Sequence, residues 1–295
     1  MDYATLATTC RPFGGTVTSS SYSQSVTVGR IVRDTFAVFG KSPSLFIGAF
    51  IPVFLAVGAL LSPFIEITLP LGFRITGLTS GGGPSLFLTL LVVGAIGLVA
   101  GGFLQGLLTY RAILLHRGQA KSAGESVGRA IGALHQIVGA SVLTSLLASL
   151  PILPGAIVLG IALGAHNEPL AELAVLLFVV MLPVSVWIVV GLSLAVPAIV
   201  GRLRGMMWGL TWSWEAAHGL RWVLFAAYLV LSVLSAIPIA LSAVLLLSLR
   251  TWMIGIILLS IFQSISSSLL VIAASVAYDW IRDKVPKTQS VHWAD

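Results

Sequence analysis

Five histidines, one cysteine and ten carboxylates are the groups with which this chain could do acid–base, nucleophilic or metal chemistry. Histidine works as a base or a metal ligand only beside partners at suitable spacing. His116 is followed by Arg117 and Gly118, and the next acidic residue is Glu125, inside an amphipathic segment. His135, His166, His218 and His292 supply none of the metal-site spacings with another His, Cys or carboxylate. His166-Asn167-Glu168 offers one His and one Glu, too few for a site alone. Gly81 to Gly83 precede Pro84 without the Lys and Ser/Thr of a phosphate-binding loop. Cys10 has no partner for an intramolecular disulfide. The chain therefore reads as non-enzymatic, with no metal and no cofactor.

The surrounding composition says where the chain resides. Of its 295 residues 57% are hydrophobic and 9% charged. A soluble domain carries about 25% charged residues, so too little charge is present to cover a wet surface. A mean hydropathy of +1.04 points the same way, to lipid as the main solvent. The net charge of +6 would suggest nucleic acid in a soluble protein. In a membrane protein it reads as basic loops facing anionic lipid, and nucleic acid is excluded as a partner. Residues 1–25 are rich in Ser, Thr and Gly, contain no apolar core of signal-peptide type, and read as a disordered cytoplasmic tail.

A spanning helix needs about 20 mostly apolar residues. Six stretches qualify: Ser44 to Phe64, Leu86 to Tyr110, Ile137 to Leu163, Leu170 to Val200, Trp222 to Leu247 and Trp252 to Tyr278. They predict an all-α membrane domain over residues 26–283, followed by a cytoplasmic tail over 284–295. Fourteen of the 16 basic residues fall in the N-terminal segment, the connections after the second and fourth spans, and the C-terminus. Only Arg74 and Arg250 fall in the other loops. The positive-inside rule then places both termini in the cytoplasm.

Each odd-numbered span follows a short amphipathic segment. Val28 to Phe39 carries Val28, Ile31, Val32, Phe36 and Phe39 on one helical face. Glu125 to Val138 carries Val127, Ile131, Leu134 and Val138, and Ser122 and Glu125 have the spacing of a capping box. Met206 to His218 is rich in Trp, with Trp208, Trp212 and Trp214 suited to the headgroup layer. Val28-Gly29-Arg30 also matches Val127-Gly128-Arg129, with Gly40 then matching Gly139. These features predict three repeats, each an interfacial helix followed by a helical hairpin.

The basic residues of these segments are expected to hold anionic lipid: Arg30, Arg33, Lys41, Arg117, Lys121, Arg129, Arg202, Arg204 and Arg221. Each contributes about 1 kcal/mol near an anionic leaflet. Within the spans, Gly97 and Gly101, Gly102 and Gly106, and Gly160 and Gly164 have the small-xxx-small spacing of close helix packing or self-association. Pro151, Pro154, Pro183, Pro197 and Pro238 can kink their helices. Gln105, Gln263 and Ser264 are expected either to bond between helices or to line a polar cavity. No Asp, Glu, Lys or Arg lies near the middle of a span, which weighs against an ion-coupled transporter.

Two resemblances follow. His116-Arg117-Gly118 resembles the opening motif of glycerophosphodiester phosphodiesterase catalytic domains, in which the histidine is catalytic and metal-binding carboxylates follow. No βα repeat for such a barrel accompanies it here. From Val26 to Asp283 the chain resembles the membrane domain found beside some bacterial glycerophosphoryl diester phosphodiesterases, which also exists as stand-alone inner-membrane proteins. Val196-Pro197, the run Leu210-Thr211-Trp212-Ser213-Trp214-Glu215 and His218-Gly219-Leu220-Arg221-Trp222 carry it. The family's Glu after the valine-proline is replaced by Ala198-Ile199-Val200-Gly201-Arg202. This resemblance implies a six-helix bacterial inner-membrane protein; it does not imply phosphodiesterase activity, which in the family belongs to a separate soluble domain. The expected function is to bind or organise membrane lipids or partner proteins, including further copies of the chain. A transporter or lipid translocase with a polar mid-membrane cavity is the alternative.

Overall fold

The computed structural model describes residues 26–61, 65–68, 72–75, 83–119, 122–165, 167–248 and 252–282. In chain order its elements are α1 Val28–Lys41, α2 Pro43–Leu61, β1 Ile65–Thr68, β2 Gly72–Ile75, α3 Gly83–His116 and α4 Ala123–Ser149. There follow α5 Leu153–Ala165, α6 Glu168–Leu192, α7 Ala195–Arg202, α8 Met206–Ala217, α9 Arg221–Ser248 and α10 Trp252–Arg282. Among the described residues five helices are long and apolar enough to cross a membrane, and the bent pair α1–α2 makes up to six. The chain is thus a multi-pass membrane protein whose spans are all helical. One small addition was not expected: β1 and β2 pair antiparallel, Ile65 opposite Ile75, within the connection after the first span.

The bundle is organised around α10, which packs against α9, α2, α3 and α1. Its serines bind it to α2. Ser264 donates to the Ile47 carbonyl at 2.5 Å and Ser268 to the Phe46 carbonyl at 2.6 Å. In lipid no water competes for these groups, so each bond fixes the α2–α10 contact. Gly102 and Gly106 bring α3 against α4. A Cβ at Gly106 would lie 2.6 Å from Ile137 Cδ1, and one at Gly102 would lie 3.0 Å from Val138 Cγ2. Gly97, Gly101, Gly160 and Gly164 have open space instead, so their spacing does not serve packing among the described residues.

The three amphipathic segments take three forms. α1 turns 86° from α2 and lies across the bundle end, burying Ile31, Thr35 and Val38. Phe36, expected on that face, is 43% exposed. The second segment precedes the third span without a break, because α4 runs unbroken from Ala123 to Ser149. Its cap forms as expected, with the Glu125 amide donating to Ser122 Oγ at 3.3 Å. The helix interrupts later, at Leu150–Ile152, before α5. The third segment, α8, tucks into the bundle and buries Gly209, Leu210, Trp212, Ser213 and Ala217. The fourth predicted span divides into α6 and α7 at Ser193 and Leu194. Ser213 closes that break: its hydroxyl donates to the Gly191 carbonyl at 2.9 Å and accepts from the Leu194 amide at 3.1 Å.

Candidate functional site

Two features at different depths concentrate polar chemistry. The first lies at the bundle end where α1, α3 and α10 meet. Gly118, with φ +68°, ends α3: the Gln119 amide donates to the Leu114 carbonyl at 2.9 Å. This left-handed termination favours glycine. The His-Arg-Gly triplet is therefore a helix terminus, with two basic side chains at the negative end of the helix dipole. Both reach Asp279 on α10. His116 Nδ1 lies 2.8 Å from Asp279 Oδ2, and Arg117 donates through Nε at 2.7 Å and Nη2 at 2.5 Å to Oδ1. His116 Nε2 also faces Asp34 of α1, at 3.8 Å. A carboxylate 162 residues away in sequence from Arg117 thus joins α10 to the end of α3, and His116 carries the contact on to α1. Beside it, the Arg30 guanidinium sits 3.8 Å from the ring centre of Trp280.

The other expected lipid contacts divide by environment. Arg33 is exposed and pairs with Asp34 at 3.4 Å. Lys41 donates to the Leu115 carbonyl at 2.8 Å, satisfying a terminal carbonyl of α3. Arg129 donates to the Val200 carbonyl at 3.0 Å and to Gly201 at 3.2 Å, fixing α7 to α4. Arg202 and Arg204 are exposed and flank Trp208, 5.6 and 5.1 Å from its ring centre. Arg221 is buried, its guanidinium 3.9 Å from the ring centre of Trp214. Lys121 lies outside the described residues.

The second feature is a cavity of roughly 890 Å³ inside the bundle. Its lining comes from α3, α4, α6, α9 and α10, with Ala195 and Val196 of α7 at one end. Its polar lining is Gln105, Ser141, Thr144, Ser145, Ser149, Ser185, Ser193, Tyr228 and Ser232, and the rest is aliphatic apart from Phe225. Among the described residues no charged side chain lines it. Some hydroxyls are bonded locally: Ser193 donates to the Val190 carbonyl at 2.8 Å and accepts from Tyr228 at 3.0 Å. Ser145 and Ser232 are exposed although each lies within a span. Leu182, Val189 and Leu229 both line the cavity and stand exposed, so it reaches the bundle surface along the seam between α6 and α9.

Of the expected cavity residues, Gln105 lines this space, whereas Gln263 is exposed and Ser264 is buried in its bond to α2. The hydroxyls of α4, α6 and α9 were not singled out from the sequence, because serines are tolerated in any packed span. Among the described residues no three His, Cys, Asp or Glu gather as a metal site. The cavity is of ligand size, amphipathic and uncharged, suited to an apolar chain with hydrogen-bonding groups. No protein-family model, no curated protein and no solved structure matches this chain.

Proposed function

We propose that this is a non-enzymatic bacterial inner-membrane protein that binds a membrane lipid within its bundle. The cavity carries this reading: it is uncharged, lined by hydroxyls and aliphatic side chains, and open along a seam between two spanning helices. A lipid chain reaching it from the bilayer exchanges one apolar surrounding for another, and the hydroxyls supply polar contacts that the acyl region of the bilayer lacks. The basic end, with exposed Arg30, Arg33, Arg202 and Arg204, faces the cytoplasm and holds anionic headgroups, with both termini on that side. The proposal includes a place in the phosphodiesterase-associated membrane-domain family that the sequence resembles, with lipid or a partner protein organised in the plane of the membrane.

The test is lipid retention. The protein is purified in mild detergent and its bound lipid measured by native mass spectrometry. Ser145→Trp places an indole in the cavity. Wild type retains lipid, and the monodisperse variant loses it. Equal retention by both contradicts the proposal. Translocation is the second reading, favoured by the polar wall from Gln105 to Ser232. In liposomes it predicts faster exchange of fluorescent lipid between leaflets, abolished by the same variant.

A further inference from the structure

Arg221, the first residue of α9, is 7% exposed. Its Nε and Nη2 are enclosed and have no hydrogen-bond partner. Among the described residues no carboxylate pairs with it. Its guanidinium lies 3.9 Å from the ring centre of Trp214 and 5.3 Å from that of Trp187. Both rings lie close to the cation, and neither offers an oxygen to accept from its N–H groups. A buried guanidinium with an unfilled edge is costly in low dielectric and is relieved by an anion with paired oxygens.

The surroundings identify the kind of anion. Trp222 is 71% exposed and Trp214 40%, a pairing of aromatic rings with a cation that suits the headgroup layer. Gly191 makes room for this arrangement, since a Cβ there would lie 2.8 Å from the Trp214 ring. Trp214 lies against the guanidinium and is itself 40% exposed, so it stands between the cation and the headgroup layer and must move for an anion to reach the fork. One helical turn beyond Arg221, Phe225 lines the cavity, and its ring packs 6.0 Å from that of Trp222.

We infer that Arg221 is the seat for a phosphodiester whose acyl chain enters the cavity along the α6–α9 seam, making the bound lipid a phospholipid. This rests on the lipid-binding reading above and names the headgroup chemistry. Arginine suits the role because its planar fork matches two phosphate oxygens, which a lysine ammonium cannot do.

The experiment compares wild type, Arg221→Lys and Arg221→Met by native mass spectrometry after delipidation. The probes are phosphatidylglycerol, phosphatidylcholine, diacylglycerol with matched chains, and inorganic phosphate. Wild type is expected to bind both phospholipids about ten-fold more tightly than diacylglycerol, the usual scale of a charge-assisted bond. Arg221→Met abolishes that preference, and Arg221→Lys retains only part of it. If Arg221→Met does not fold, the comparison of wild type with Arg221→Lys decides, and equal preference overturns the inference. Wild type and Arg221→Met retaining phospholipid equally overturns the phosphate seat alone. Arg221-dependent binding of inorganic phosphate without phospholipid overturns it as well, by assigning a free anion. No lipid bound by wild type in any arm overturns the lipid-binding reading itself.

Discussion

Asp279→Asn removes the carboxylate that joins α3 to α10 while preserving side-chain size. Asp279 accepts from His116 at 2.8 Å and from Arg117 at 2.7 and 2.5 Å. The side chains of Asp279, His116 and Arg117 are 10%, 18% and 27% exposed, so the group is neither solvated nor sealed. Exposed ion pairs contribute about 0–1 kcal/mol and breaking a sealed pair costs about 3–5 kcal/mol, which sets the loss here near 2 kcal/mol. With about 2 cal/mol/K of unfolding entropy per residue, that lowers the melting temperature of this chain of 295 residues by about 3 °C. Thermal unfolding in detergent, followed by tryptophan fluorescence, reads the shift. Arg117→Gln and the double variant complete a cycle, and a coupling above about 1 kcal/mol is expected. A melting temperature within about 1 °C of wild type, or additive effects, would refute the argument that this tie holds the helix ends together.

Other outcomes follow from the same packing. Gly209→Ala drives a Cβ to within 2.5 Å of Ile199 and is expected to destabilise by about 1–3 kcal/mol, seen as a lower melting temperature. Gly101→Ala, with open space around it, should be neutral or stabilise by up to about 1 kcal/mol. Losing the α2–α10 bonds in a Ser264→Ala, Ser268→Ala double variant should cost about 1–2 kcal/mol by the same assay. With Cys10 replaced by Ser, a cysteine at Gln119 should react with impermeant maleimide only from the cytoplasmic side, and one at Asn167 only from outside.

Hydropathy made most of the spans legible, because lipid demands long apolar runs wherever the backbone must satisfy itself. The Ser122 cap on the Glu125 amide was an equally local signal. Continuity was harder. A change from amphipathic to apolar sequence marks where a helix enters lipid, not where it begins, so α4 bridges both without a break. The amides show the limit most clearly. Gln105 and Gln263 are both single amides in apolar helices, and only rotation within the bundle sends one to the cavity and leaves the other exposed. Pairing was least legible: nothing near His116 in sequence points to Asp279, which reaches it only when α10 packs against α3. The cavity is likewise a product of six helices, none of which encodes it alone.

The most direct test is a cryo-electron-microscopy map of the protein in lipid nanodiscs, viewed between α4 and α9. An elongated density inside the bundle, reaching out through the α6–α9 seam toward Arg221, is the predicted result. A collapsed core in which the serines of α4 and α9 touch one another, with no density between them, would contradict the account.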